Sequence, residues 1–348
     1  MRPDDSQLDG GGRYTRQARF APLGDSGQQR LMAGRVLVCG CGALGCVVAD
    51  TLVRAGVGFL RIIDRDFVEL DNLHRQVLFD EADAAAHLPK AIAAGQRLHA
   101  VNSSVRVEPV VADMHAENIQ QLAGDVDLLI DGTDNFETRY LLNDFSVAQD
   151  IPWIFAGCVG AEGQTLAIVP GETPCLSCFF PEPPPTGAMA TCETAGVLEP
   201  IVSVLASMQA MEAIKLLSGN RAQLNGGLTF VDLWNNNFRS IGMATSRRED
   251  CRTCGQREFV WLRGERGADV ARLCGRNSVQ ISPTSAEPLD LVALAVKLRG
   301  MGEVTSNPFL VRLAMGEYLL TFFADGRTIV GGTDDPAVAR TVHARVLG

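Results

Sequence analysis

Two cysteine pairs have the spacing of metal-ligating knuckles, Cys175-x-x-Cys178 and Cys251-x-x-Cys254. Four thiolates can close a tetrahedral structural site for Zn2+, and both pairs lie in Gly/Pro turn contexts that suit one. A redox dithiol uses the same spacing, so the pairs alone leave both chemistries open. A second constellation is Gly40-x-Gly42-x-x-Gly45, directly after the apolar run Val36–Cys39. Glycines so placed between a strand and a helix form a phosphate-approach loop. Gly40 permits the tight turn, Gly42 lets phosphate near the backbone, and Gly45 lets the helix pack close to the strand. The helix N-terminus then offers unpaired N–H groups and a positive dipole end. Asp64 closes the next apolar run, where a carboxylate can accept ribose hydroxyl bonds. The loop lacks a GK[ST] ending, which excludes a Walker A site. It indicates a nucleotide without saying which, and an NAD-dependent oxidoreductase would use the same loop.

Other residues narrow the chemistry. Asp64 to Phe79 reads DRDFVELDNLHRQVLF, with both charge signs and amides just beyond a strand. Arg75, Lys90 after Pro89, and Arg16 in RYTRQARF are cations that could meet phosphates. For any lone cation the competing reading is a solvated surface residue. Asp134 follows Asp131 in the turn DGTDN and could hold Mg2+ with Asp131 nearby, or cap a helix. Asn135 suits an N-cap. His74 could act as a base or be a surface residue. Cys192 follows the proline-rich FFPEPPPTGAMA, where a thiol could be reached, so nucleophile and unused thiol both stay open. Cys39, Cys41, Cys46, Cys158 and Cys274 read as packed residues.

These residues must be carried by a frame, and the hydrophobic pattern supplies one. Short, mostly apolar runs at Val36–Cys39, Phe59–Ile63 (broken by Arg61) and Val126–Ile130 (broken by Asp127) alternate with helical stretches. That pattern indicates an α/β Rossmann-like, doubly wound, mostly parallel sheet. Leu228–Asp232 and Asn237–Gly242 read as a hairpin. The expected organisation is a disordered N-terminus at 1–12, a nucleotide-binding domain with its zinc site at 13–257, and a small α+β domain at 258–348. Pro200–Leu217 is apolar but carries Gln209, Glu212 and Lys215, so it is expected to be buried and not membrane-spanning. A net charge of -10 argues against non-specific nucleic-acid binding. The polar start MRPDDSQLDGGG and the cysteine-rich composition lead us to expect a cytoplasmic protein.

Taken in order, the motifs resemble the ThiF/MoeB/HesA family of E1-like adenylyltransferases. They are RY-x-RQ (Arg13 to Gln17), the glycine loop, Asp64-x-Asp66, N-L-x-RQ (Asn72 to Gln76), Pro89-Lys90, and T-D-N (Thr133 to Asn135) with Arg139 and Asn143. EGQ (Glu162 to Gln164), both CxxC pairs, T-C-x-x-A-G around Cys192, and SMQAMEAIK (Ser207 to Lys215) follow. The stretch after 258 resembles the C-terminal extension of longer ThiF-type members.

The resemblance implies ATP-dependent adenylylation of a ubiquitin-like sulfur carrier protein at its C-terminal Gly-Gly, for thiamin or molybdopterin synthesis. It implies that Gly40, Gly42, Gly45, Asp64, Asp66, Asn72 and Asn135 bind ATP. Arg75 and Lys90 would stabilise phosphates and Asp134 would hold Mg2+. A homodimer is implied, with Arg16 reaching the partner's site, and Cys192 matches a position that carries an adduct in some members. The remaining alternatives are the oxidoreductase and a non-catalytic carrier-binding scaffold.

Overall fold

The computed structural model describes residues 12–184, 192–243, 246–266, 270–273, 277–281 and 289–347; the side chains of 192, 193 and 270–273 are outside it. The chain divides into two compact units. The first runs to Arg266 but omits Ala86–Leu88, which belong to the second unit together with Gly267–Gly348. The expected boundary after 257 therefore moves. Phe259, Val260, Trp261 and Leu262 pack against the core of the first unit, and the Trp261 amide donates to Asp144 at 3.0 Å.

The first unit contains, in order, α1 (Thr15–Ala18), α2 (Gly24–Ala33), β1 (Arg35–Cys39), α3 (Ala43–Ala55), β2 (Phe59–Asp64), α4 (Glu81–Ala85), α5 (Lys90–Val101), β3 (Arg106–Val111) and α6 (Ile119–Ala123). It continues through β4 (Leu128–Asp131), α7 (Phe136–Gln149), β5 (Trp153–Val159), β6 (Glu162–Ile168), α8 (Leu176–Phe179), α9 (Cys192–Ala195), α10 (Glu199–Leu217), β7 (Gly227–Asp232) and β8 (Asn237–Gly242). The eight strands form one sheet in the order β3-β2-β1-β4-β5-β6-β7-β8. Pairing is parallel from β3 to β5 and antiparallel from β5 to β8.

Chain order reverses direction at β1, which lies between β2 and β4. At such a switch point the connections leave towards opposite faces and open a crevice at the strands' C-terminal ends. Val36–Val38 and Leu128–Ile130 are fully buried, as central parallel strands covered on both faces should be. Gly56 takes φ 85° and ends α3 with a left-handed cap. Glu199–Leu217 is long and apolar enough to cross a membrane by composition. Here α10 packs against α3, β5 and β6, and buries Ile201, Val202, Leu205 and Ala206.

The second unit contains β9 (Val270–Leu273), β10 (Ser278–Ile281), α11 (Leu291–Leu298), β11 (Glu303–Ser306), β12 (Leu310–Met315), β13 (Tyr318–Phe323), β14 (Thr328–Gly331) and α12 (Pro336–Leu347). Its antiparallel sheet has the order β11-β12-β13-β14-β10-β9. Val279, Val311, Leu313, Leu320, Phe322 and Val330 form a core with Leu294 and Leu298 of α11 and Val342 of α12. The short strands β9 and β11 and helix α2 were not anticipated from sequence.

Candidate functional site

The β1–α3 turn is built by close backbone contact. Gly40 has φ 89°, a conformation that favours glycine. A Cβ on Gly45 would lie 1.9 Å from the Gly40 carbonyl oxygen, and one on Gly132 would lie 2.4 Å from the same oxygen. A Cβ on Gly40 would meet Gly132 backbone at 2.8 Å. Three glycines thus interlock where β1 and β4 end. Gly42 differs: the nearest atom to its added Cβ is 3.7 Å away. The chain does not need glycine there for its own packing, since a methyl would make only ordinary contact with the Gly132 carbonyl. Gly132 has no counterpart in the sequence reading beyond being a turn residue. Its role depends on two strands far apart in the chain.

Asp64 sits at the end of β2, 9% exposed. One carboxylate oxygen accepts the Cys41 amide at 2.6 Å and the other accepts the Asp66 amide at 2.7 Å. It therefore fixes the glycine loop, and each oxygen keeps a further lone pair for a hydroxyl. Burial pushes its carboxyl pKa up, and the Lys90 ammonium pulls against that rise. Lys90 is 3% exposed, its Nζ lies 3.5 Å from Asp66, and its amide donates to the Asp66 carbonyl at 2.9 Å. The sequence elements Asp64-x-Asp66 and Pro89-Lys90 are thus neighbours beside the glycine loop.

Asn72 is 2% exposed; its Nδ2 donates to Asp71 at 2.8 Å, while its Oδ1 is buried without a partner among the described residues. Gln76 is 3% exposed with Oε1 in the same condition. Buried polar atoms are nearly always paired, so both oxygens are acceptors that a polar partner would satisfy. Gln76 belongs to the N-L-x-RQ motif, but no role was assigned to it from sequence. Arg75 is partly buried and donates to the Asp71 carbonyl at 2.9 Å.

The turn after β4 corrects one expectation. Asp131 is fully buried, accepts Thr133 N–H at 2.9 Å and Oγ1 at 2.7 Å, and pairs with Arg139 Nε at 2.9 Å. Burial raises its carboxyl pKa and the Arg139 guanidinium opposes the rise. Asp131 is therefore a structural anchor and not a second ligand beside Asp134. Asn135 caps α7, its Oδ1 accepting the Glu137 amide at 2.8 Å. Asp134 between them is exposed. Against the cost of burial, Asp113, Asp66 and Asp134 together raise the Arg65 guanidinium pKa.

Around Arg16 the other motif residues are spent on anchoring α1. Tyr14 Oη accepts Asn102 Nδ2 at 2.7 Å, Gln17 donates to Gln28 at 2.6 Å and to the Ala55 carbonyl at 2.9 Å, and Arg13 donates to the Val101 carbonyl at 3.1 Å. Arg16 itself is exposed.

A model of the ThiF family matches residues 14–253, which contain these elements apart from Arg13. The chain belongs to the ThiF family. It is 43% identical over 338 residues to the sulfur carrier protein ThiS adenylyltransferase of Bacillus subtilis, a match covering 97% of this chain and 99% of that protein. It is 39% identical over 269 residues to the sulfur carrier protein adenylyltransferase of Thermus thermophilus, covering 75% of this chain and 97% of that protein. The ThiF unit also shares its fold with Escherichia coli MccB crystallised with ATP, at a TM-score of 0.61 and 23% identity, covering 71% of this chain and 75% of that one.

The ThiF unit brings the two cysteine pairs together. The sulfurs of Cys175, Cys178, Cys251 and Cys254 all lie within 4.8 Å of one another. Sγ separations are 4.0 Å for Cys175–Cys178, 3.7 Å for Cys175–Cys251 and 3.4 Å for Cys178–Cys254. A Zn2+ ion with Zn–S of about 2.3 Å at the centre of a tetrahedron requires S···S near 3.8 Å. The donor set therefore fits the metal. It is backed by Asn143, which accepts the Leu176 amide at 2.8 Å, and by Asp144, which accepts Thr253 Oγ1 at 3.0 Å.

The side chain of Cys192 lies outside the described residues, as do residues 185–191 of the proline-rich loop and Cys274. Cys41 and Cys46 are fully buried with their sulfurs 3.9 Å apart, which agrees with the packing role expected of them.

Proposed function

We propose that this chain activates a ubiquitin-like sulfur carrier by adenylylating its C-terminal glycine carboxylate with ATP. The observation that carries the reading is the convergence of the Gly40–Gly45 loop, Asp64, Lys90 and the Asp134 turn at the C-terminal ends of β1, β2 and β4. The names and similarity of the Bacillus and Thermus relatives supply the substrate class. A nicotinamide enzyme leaves the orphan Asn72 and Gln76 oxygens, buried Lys90 and the thiolate cluster unexplained.

In this mechanism the open backbone at Gly42 and the N-terminus of α3 receive phosphate. Asp64 accepts ribose hydroxyls while it holds the loop. A carboxylate oxygen of the carrier attacks the α-phosphorus; that P–O bond forms as the α–β P–O bond breaks, and pyrophosphate leaves with the electron pair. Lys90 and Arg75 neutralise charge on the phosphates, and Asn72 orients them. Catalysis of this kind comes from positioning and electrostatics. Asp134 would hold Mg2+, which would neutralise charge on the phosphates, since Mg2+ is commonly bound through one or two carboxylates. Zn2+ at the four thiolates would be structural, with no open coordination position.

The catalytic form would be a homodimer. Support comes from exposed Arg16 and from an apolar strip on α10, with half-buried Val204 and Met208 and exposed Met211 one turn apart. ATP–pyrophosphate exchange tests the reaction, with the ThiS carrier of Bacillus subtilis as probe. Carrier-dependent exchange is the expected result. None from folded, zinc-loaded protein would refute carrier adenylylation.

A further inference from the structure

Residues 86–88 belong to the second unit although the chain on either side belongs to the first. Two side chains of the second unit hold them. Asn307 Nδ2 donates to the carbonyls of Ala86 and His87, each at 3.2 Å. Arg312 Nη1 lies 3.0 Å from Nδ1 and 2.6 Å from Nε2 of His87. Asn307 is itself fixed, because its Oδ1 accepts the Phe309 amide at 2.8 Å and the Leu310 amide at 3.0 Å at the entry to β12. A guanidinium only donates, so the contact selects an imidazole with an unprotonated nitrogen.

His87 has φ 49°, in the left-handed region that a side chain with a Cβ disfavours. The surroundings must hold it there, and the Asn307 and Arg312 contacts do so. Leu88 and Pro89 are all that separate His87 from Lys90. Pro89 forms a bridge with Phe67, and the Lys90 amide is fixed by the Asp66 carbonyl. The strained segment is thus the lead-in to α5, and α5 begins with the buried lysine.

We infer that Asn307 and Arg312 are positioning residues for Lys90, acting through the His87 segment. This gives the second unit a part in adenylylation. The inference rests on Lys90 being the phosphate cation of the proposed function.

The test is carrier-dependent ATP–pyrophosphate exchange, again with the Bacillus subtilis ThiS carrier, together with amide hydrogen exchange over residues 86–90. Arg312→Ala and His87→Ala should each lower the exchange rate at saturating ATP roughly tenfold, since a small misplacement of a catalytic group is costly. Protection of the 86–90 amides should fall in both. His87→Ala removes the contact without touching the β12 strand, so a general collapse of the second unit cannot account for its effect. His87→Asn tolerates the left-handed backbone and keeps an acceptor, and should retain more activity than His87→Ala. In a Lys90→Ala background, Arg312→Ala should change the rate by less than about twofold, because both act through one group. Wild-type rates in Arg312→Ala and His87→Ala, or an undiminished Arg312→Ala effect in the Lys90→Ala background, would overturn the positioning role. A fully active Lys90→Ala enzyme would instead overturn the reading of Lys90 on which it rests.

Discussion

Gly42 and Gly45 share a motif but do different work, and alanine at each should separate the two. In Gly45→Ala the new methyl starts 1.9 Å from the Gly40 carbonyl oxygen. It must retreat by about 1 Å to reach even the closest tolerated contact, and its obstacle is backbone between β1 and α3, with Gly132 packed behind. Overpacking that moves backbone costs about 1–3 kcal/mol or more. At about 3 kcal/mol, a unit of this size should lose roughly 6–12 °C in Tm. In Gly42→Ala the methyl finds its nearest neighbour at 3.7 Å, and the backbone, at φ -79° and ψ -150°, avoids the left-handed region that penalises a side chain. The fold should lose only about 0.5 kcal/mol for a poorer N-cap, near 1–2 °C. The same methyl occupies the space left for phosphate, so KM for ATP should rise roughly tenfold, equivalent to about 1.4 kcal/mol. Thermal melts followed by circular dichroism and ATP–pyrophosphate exchange measure the two effects. Equal melting losses in the two variants would refute the division of labour. Unchanged ATP affinity in Gly42→Ala would remove the loop from the nucleotide site.

Zinc removal should act on stability before chemistry. Cys251→Ser should purify with less than one zinc per chain by metal analysis and melt lower than wild type, whereas retention of full metal would refute the four-thiolate site. If Arg16 serves the partner's site, mixed dimers of Arg16→Ala and Asp134→Ala should regain about a quarter of wild-type exchange on random subunit mixing, because half the dimers then carry one intact site; no recovery in confirmed mixed dimers would place Arg16 elsewhere. Asp144 provides a pH signature. Burial lifts its carboxyl from 3.8 to about 6, so the folded state binds more protons than the unfolded chain between those values. Its contribution to stability therefore falls as pH rises from 4 to 6, by up to about 3 kcal/mol. In zinc-loaded protein, denaturant melts across that range should show this slope in wild type and lack it in Asp144→Asn. Identical slopes would show that Asp144 is not buried as a titrating group.

Much of the frame was legible because it rests on local signals. Val36–Cys39 and the mostly apolar Val126–Ile130 are runs too short for helices, and Gly40 and Gly45 mark the turn between strand and helix. The thiolate cluster was legible from paired spacing, although only the folded chain shows that the sulfurs meet. What sequence missed was long-range. Asp131 sits beside Asp134 in a turn that resembles a ligand pair, yet Arg139 one helical stretch later claims it. Gly132 looks like any turn glycine until Gly40 and Gly45 are placed against it. The boundary after 257 was misplaced because Trp261 enters the first core from a polar stretch, RTCGQREFVWLRGER, that carries little hydrophobic pattern. Strands β9 and β11 are short and pair only within the second unit, so they carry weak periodicity of their own.

The shared ownership of Ala86–Leu88 has a consequence for biosynthesis. A ribosome that has released residues up to Arg266 has delivered every strand of the eight-stranded sheet but none of the six strands that complete the second unit. Asn307 and Arg312 emerge later still. During that interval the nascent chain carries its glycine loop and Lys90 with the His87 segment unclamped, and the clamp closes only once the second unit folds. Folding of the second unit would then mark the moment at which the nucleotide site takes its final form.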